Sequence, residues 1–211
     1  MTDDLAERRG METNVYQPAE DSALLAEAVV DHARGRFLEV GTGSGWVAER
    51  AARDAEVTRV VASDVNPHAC ESARERGAAL RAEGHLGIEA VRANLVDSFR
   101  DGAFDTVAFN PPYLPTDPDN EWDDWMESAL SGGESGRKFL NPFVDDVGRV
   151  LADGGCVLLL VSSLTGFEEV VARVEARGFD HETVVQESYP FETLSVLRLT
   201  RESASKSAAE E

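Results

Sequence analysis

The sequence predicts a doubly wound α/β domain, a seven-stranded Rossmann-like sheet whose last strand runs antiparallel. Three observations predict it. Short apolar runs alternate with stretches of helical period from Pro18 to Leu199, the pattern left when strands and helices take turns around one sheet. A glycine-rich turn, Gly41-Thr42-Gly43-Ser44-Gly45, closes the first of the strand-like runs and opens a helix. The length of 211 residues suffices for one sizeable core and is short for two.

In chain order, a first helix is expected to open near Pro18, a favoured first-turn residue, with Leu24, Leu25, Ala28 and Val29 on one face. Strands are expected over Phe37–Val40, over Arg59–Ser63 ending at Asp64, near Ile88–Arg92, and over Phe104–Phe109. A fifth, Cys156–Val161, is apolar throughout and should be central. The following helix reads as starting from a capping box, Thr165 to Glu168, burying Phe167, Val170, Val171 and Val174, and stopping at Gly178. Two closing strands, Glu182–Gln186 and Leu194–Leu199, lie too close together for a parallel crossover and should pair antiparallel. Residues 1–14 read as a flexible N-terminus, 15–200 as the domain, and 201–211 as a small, charged, disordered tail. From Leu114 to Arg137 no strand or helix period is visible, and so long a loop is expected to belong to a binding site.

Forty acids against twenty bases give a formal charge of −20, and Lys138 and Lys206 are the only lysines. Such a surface repels phosphate backbones, so nucleic acid is not the expected direct substrate. It suits a basic partner or life in a salty cytoplasm. No apolar run approaches a membrane span, and the charged first ten residues do not form a signal peptide. Cys70 and Cys156 are far apart in apolar surroundings, so they are expected to be core thiols in a reducing cytoplasm, with no metal site.

The glycine run carries the first chemical signal. Its spacing, Gly41-x-Gly43-x-Gly45 with an acid at Glu39, is tighter than the G-x-G-x-x-G of dinucleotide enzymes. It suits a nucleoside ligand without a pyrophosphate, such as S-adenosylmethionine. Asp64 ends the second strand, where an acid binds ribose hydroxyls. It could instead cap the next helix, but Asn66-Pro67 already supplies a cap and first turn. Asn94 either meets an adenine ring or forms a turn.

The second and stronger signal is Asn110-Pro111-Pro112-Tyr113 at the end of the fourth strand. Neither proline has an N–H, so the segment cannot continue a ladder and its carbonyls stay free to accept. An amide or aromatic amine is a poor nucleophile because its lone pair is delocalised. The Asn110 oxygen and the Pro111 carbonyl can hold its two N–H bonds while Tyr113 packs on the planar group. Catalysis of methyl transfer there would be orientation and electrostatics, without a strong base. Glu20 and Asp21 sit where acids complement a helix dipole. Trp122 and Trp125 are docking aromatics or a minor core, and Ser131–Gly136 followed by Arg137 is a hinge or a backbone clamp.

Together these residues resemble the HemK-type glutamine methyltransferases that act on peptide-chain release factors, most closely the eukaryotic and archaeal branch. The resemblance runs from Val15 to Leu199 and rests on Val15-Tyr-Gln-Pro-Ala-Glu-Asp21, Leu38–Gly45, Ser63–Pro67, Ala108–Tyr113, Ala129–Arg137 and Glu192–Leu197. It implies a class I methyltransferase fold and S-adenosylmethionine as cofactor. The cofactor would be held by Tyr16, Pro18, Glu20, Asp21, Glu39, Gly41, Thr42, Gly43, Gly45, Asp64, Val65, Asn94, Leu95 and Asn110. Asn110, Pro111, Pro112 and Tyr113 would be catalytic. Its members usually carry an acid at the position of Asn94. The implied substrate is the glutamine of the Gly-Gly-Gln loop of the archaeal class-one release factor. The implied partner is a small zinc-binding activator docking at the third-strand edge near Ile88. The acidic, lysine-poor composition resembles that of salt-adapted archaea.

Overall fold

The computed structural model describes residues 15–115 and 130–201. Helix α1 (Glu20–His32) leads into β1 (Arg34–Val40), α2 (Trp46–Asp54) and β2 (Glu56–Asp64), then α3 (Pro67–Ala82), β3 (Ile88–Arg92) and β4 (Phe104–Phe109). After the segment outside the described residues come α4 (Leu140–Val150) and β5 (Leu151–Ser162). A short 3₁₀ turn (Ser163–Thr165), α5 (Phe167–Ala176), β6 (Phe179–Tyr189) and β7 (Glu192–Arg201) complete the chain. The seven strands form one sheet in the order β3-β2-β1-β4-β5-β7-β6. β1 to β5 are parallel neighbours, whereas β7 runs antiparallel to both β5 and β6, as the short closing connection requires.

Two apolar layers hold the helices to the sheet. On one face, Leu24, Leu25, Ala28 and Val29 of α1 are buried together with Phe37, Ala48, Leu158 and Val196. On the other, Leu140, Phe143, Val144 and Val147 of α4 are fully buried with Leu38, Val107, Leu159 and Leu197. A fully buried Leu, Val or Phe contributes roughly 1.5–3 kcal/mol, so each layer outweighs any single cap. Strand β5 is apolar from Cys156 through Val161 and lies between β4 and β7, central as expected. Cys70 and Cys156 are buried free thiols.

Four local expectations need correction. Helix α1 begins at Glu20 with Ala19 at its cap and no side-chain capping bond, so Pro18 lies outside it. Thr165 does not form a capping box with Glu168: its hydroxyl donates to the Ser162 carbonyl at 2.7 Å, and Gly166, at φ 74°, turns the chain into α5. Ser162 caps the 3₁₀ turn first, accepting from Leu164 N–H, and this uses the Thr165 position for the turn. Helix α4 was not foreseen: it starts without a side-chain cap, and the turn residues that follow it, Asp153-Gly154-Gly155, fall inside β5 and not between helix and strand. Arg201 belongs to β7 and not to a tail; residues 202–211 and 1–14 lie outside the described residues.

Strand β3 occupies one edge of the sheet and pairs only with β2. Ile88 itself is in the core, pressed against Gly77 of α3. The strand order reverses between β1 and β4, and in open α/β sheets the crevice outside the strand ends at such a point takes the ligand.

Candidate active site

One pocket fills that crevice, and its walls come from the turn after β1, the ends of β2 and β4, and the chain entering α1. Glu39, at the last turn-facing position of β1, is 4% exposed. Its Oε2 accepts from the Thr42 hydroxyl at 2.6 Å and from Ala48 N–H at 3.0 Å, so it ties the glycine turn to the start of α2. Burial pushes its carboxyl up to about 8, against the pull of those two hydrogen bonds. Gly43 has φ 51°, and a side chain on it would meet the Tyr16 carbonyl at 3.3 Å. Glycine is thus required both by the turn and by the chain that lies over it.

The carboxylate of Asp64 accepts from Gly43 N–H at 3.0 Å and from Asn66 N–H at 2.9 Å. Asn66 in turn caps α3 by accepting from His68 N–H at 2.9 Å. Asn66 thus supplies the cap expected from the sequence, and Asp64 is not wholly free: one oxygen braces the glycine turn at Gly43 and the other accepts from Asn66. Burial raises its pKa. Val65, Asn94 and Leu95 line the same side of the pocket. Asn94 forms a turn, donating to Asp97 at 3.4 Å, and borders the pocket.

The tetrad closes the pocket from β4. Asn110 donates through Nδ2 to Asp21 Oδ2 at 2.9 Å. A carboxylate can only accept, so this bond fixes which way the Asn110 amide faces. The consequence is an exposed need: Asn110 Oδ1 is buried and has no hydrogen-bond partner among the described residues. A buried acceptor left in that state costs about 1–3 kcal/mol, and such groups in native folds call for an explanation. Asp21, 5% exposed, also accepts from the Tyr16 hydroxyl at 3.0 and 3.1 Å and from Ser22 N–H at 2.6 Å. Burial, followed by the Asp21 charge, pushes the hydroxyls of Tyr16 and Tyr113 above the ordinary tyrosine range. Both stay protonated at neutral pH.

The run Ser131–Arg137 acts as a backbone clamp. Leu114 N–H donates to Leu130 O at 3.1 Å, Gly132 N–H to Leu114 O at 2.9 Å, and Lys138 N–H to Gly132 O at 2.9 Å. A side chain on Gly136 would lie 2.6 Å from the Tyr113 carbonyl, and the Arg137 guanidinium donates to Thr165 O. The segment thus pins the tetrad's carboxyl end to the turn after β5.

Of the residues singled out in the sequence, Tyr16, Pro18, Asp21, Glu39, Gly41, Thr42, Gly43, Asp64, Val65, Asn94, Leu95, Asn110, Pro111, Pro112 and Tyr113 all border this pocket. Glu20 and Gly45 do not. Glu20 is exposed in the first turn of α1, close enough for its charge to act on Tyr16 and Tyr113, while its neighbour Asp21 is buried in the pocket wall. Gly45 is buried against Ala73 of α3, where a side chain would meet backbone at 2.9 Å, so it serves packing between helices. Trp122 and Trp125 lie outside the described residues. Trp46 and Phe139 also border the pocket and were missed. Trp46 was legible as the first residue after the glycine turn, whereas nothing local marks Phe139.

The methyltransferase small domain family matches residues 17–122. A Methanocaldococcus jannaschii protein, provisionally named a protein N5-glutamine methyltransferase, is 35% identical over 187 residues, 89% of this chain and 92% of its own. Methyltransferase HEMK2 of Homo sapiens is 30% identical over 92% of each chain. Among solved structures, the E. cuniculi Mtq2-Trm112 complex, described as responsible for methylating the eRF1 translation termination factor, aligns with a TM-score of 0.69. Its identity is 30%, over 90% of this chain and 100% of the other. A TehB-like methyltransferase of Corynebacterium glutamicum, at 16% identity and a TM-score of 0.56, shares the fold alone. The cofactor is S-adenosylmethionine, and a glycine turn that a single added carbon would fill, beside the Asp64 carboxylate, fits a nucleoside bound close to backbone. The chain belongs to the HemK-type glutamine methyltransferases, with a class I methyltransferase fold.

Proposed function

We propose that this protein methylates the side-chain nitrogen of a glutamine in the Gly-Gly-Gln loop of an archaeal class-one release factor. The observation that carries this reading is the buried, unpartnered Oδ1 of Asn110. It is an acceptor held open by Asp21, beside the carbonyl of Pro111, which lies past the end of β4. A primary amide offers two N–H groups to two such acceptors. A carboxylate offers none, so glutamate in the same loop is rejected.

S-adenosylmethionine, when bound, supplies an electrophilic methyl on sulfonium. The protein's part is to orient and to dry. Tyr16, Pro18, the glycine turn and Asp64 hold the cofactor, together with Val65, Asn94 and Leu95. Asn110 and Pro111 hold the amide N–H bonds so that the nitrogen lone pair is aimed away from them, and Tyr113 packs on the planar group. Once it had received the methyl, the nitrogen held by Asn110 and Pro111 would give one proton to solvent. Orientation of this kind supplies several kcal/mol without a base.

A small zinc-binding activator is the proposed partner, seated along β3. What supports it is that β3 is an edge strand, paired on one side only, and open edges are liabilities that proteins cover. The two buried free thiols fit a reducing cytoplasm.

The test uses the chain co-expressed with the activator in molar salt, incubated with S-adenosylmethionine and the release factor, and followed by peptide mass spectrometry. One methyl on the Gly-Gly-Gln glutamine, absent with Asn110→Ala while cofactor binding persists, is the expected result. No methyl there despite cofactor binding would refute the substrate and direct the search to exocyclic amines of structured RNA.

A further inference from the structure

The large apolar side chains that the described residues leave exposed are not scattered. They are Val65, Leu86, Leu114, Leu164 and Phe191, the last 94% exposed. Four of the five lie at one end of the sheet. Val65 follows β2, Leu114 follows the tetrad, Leu164 sits in the turn after β5, and Phe191 is at the tip of the β6–β7 hairpin. Because β7 runs antiparallel to β5, with Ser162 opposite Leu194, the hairpin tip stands beside the carboxyl end of β5. Val65 borders the cofactor side of the pocket. Leu114 borders the pocket beside Tyr113, whereas Leu164 and Phe191 have no such employment.

The hairpin tip is held in place. Ser162 donates to Glu192 at 2.6 Å, Thr193 N–H donates to Ser163 Oγ at 3.0 Å, and Tyr189 pairs with Glu192 across the turn. Tyr189 and Tyr113 pack against the same apolar layer, so the tip adjoins the tetrad. Single exposed apolar residues are ordinary, but several converging on a pocket mouth mark an interaction site. A hairpin tip held at Tyr189, Glu192 and Thr193 presents Phe191 with little backbone left to order on binding, which favours it as an anchor.

We propose that Leu114, Leu164 and Phe191 form a docking surface for the main chain that flanks the methylated glutamine in the protein substrate. The inference rests on the glutamine-methylation reading. A target side chain entering beside Tyr113 leaves its own backbone at the rim, and the residues before and after it must land on what borders the mouth. Glu20, Glu187 and Glu192 lie around Tyr113 and Tyr189 there, on a chain of formal charge −20. The segment that fits is therefore basic, with an apolar side chain to seat against Phe191.

The test is Phe191→Ser, with Leu164→Ser as a second variant, each in the full chain with its activator and assayed on intact release factor. Phe191 touches neither the pocket nor the core, so the fold survives its loss. The expected result is a KM for the protein substrate raised about fivefold to tenfold, with kcat and cofactor affinity unchanged, and recovery with Phe191→Tyr. A KM within twofold of wild type in both serine variants would overturn the proposal. So would an unchanged KM accompanied by loss of the activator or of a second copy from the purified complex, because Phe191 would then seat that partner. If the wild-type complex methylates no glutamine, the parent reading fails and the docking proposal falls with it, a result distinct from either of the others.

Discussion

Replacing Asp21 by Asn exchanges one oxygen for NH2 at nearly constant shape, and the structure dictates which way the new amide must face. Ser22 N–H lies 2.6 Å from Asp21 Oδ1 and belongs to the backbone, so an NH2 at that position would set donor against donor. The new side chain must keep its oxygen there and aim its nitrogen at Asn110, where Asp21 Oδ2 now accepts at 2.9 Å. Asn110 can answer only by turning its amide over, which presents NH2 to the pocket in place of Oδ1. The charge-assisted bond that holds the native orientation is worth roughly 1.5–3 kcal/mol. Lost from the transition state, that is roughly a tenfold to 150-fold fall in rate. The assay is single-turnover methyl transfer at saturating cofactor and release factor, with cofactor affinity measured by calorimetry. The decisive comparison is a double-mutant cycle with Asn110→Ala: if Asp21 acts through Asn110, D21N costs nothing further once Asn110 is gone. A D21N enzyme within twofold of wild type, or one slowed equally on both backgrounds, would refute the reasoning.

Glu39 titrates near 8 in the folded protein because it is buried, against an ordinary 4.5. The fold therefore binds a proton that the unfolded chain has released, and this group's stabilisation is full below pH 4.5 and declines as the pH rises through 8. Glu39→Gln keeps an oxygen for Thr42 and Ala48, so its melting temperature should match wild type near pH 5 and exceed it near pH 9; parallel curves across that range would reject the assignment. Gly136→Ala places a carbon 2.6 Å from the Tyr113 carbonyl at φ 68°, a strain of about 1–2 kcal/mol. It should lower the melting temperature and slow turnover while cofactor binding persists, and unchanged turnover would mean the clamp does not position the tetrad. With a formal charge of −20, the melting temperature should rise between dilute buffer and molar potassium chloride as self-repulsion is screened. A flat response would remove the case for salt adaptation.

The fold was legible wherever a strand was apolar or a turn carried glycine. Cys156–Val161 read correctly as central because only a strand covered on both faces can be apolar throughout. Helix α4 was not legible, although Leu140, Phe143, Val144 and Val147 have the right spacing. It lacks a side-chain cap, its turn residues Asp153-Gly154-Gly155 fall inside β5, and the long loop before it masks its start. At the site, residue types gave the glycine turn, Asp64 and the tetrad. Asp21 was read as a helix-dipole residue, which is what a first-turn acid does when it faces water. Its contact with Asn110 spans 89 positions of sequence, and no local pattern encodes a partner so distant. The position of Gly45 was hidden for a related reason: its place in a glycine run suggests the cofactor, whereas its neighbour in space is Ala73.

The same contacts say why this site can work without a general base. Tyr16 and Tyr113 keep their protons, because burial and the Asp21 charge both disfavour the phenolates. Glu39 is occupied with Thr42 and Ala48, and Asp64 with Gly43 and Asn66. Among the described residues, Asp21 is the one carboxylate bonded to the tetrad, and it already accepts from Tyr16, Ser22 and Asn110. A carboxylate engaged to that degree is a firm anchor. Its negative charge acts by fixing the direction of a neutral amide, which then offers oxygen where an N–H must be held. A base would be of little use before transfer in any case, since an amide nitrogen gives up its proton readily only after it has gained the methyl. What the chemistry needs beforehand is a lone pair pointed at the electrophile, and three segments distant in sequence, at Asp21, Asn110 and Gly136, are arranged to point it.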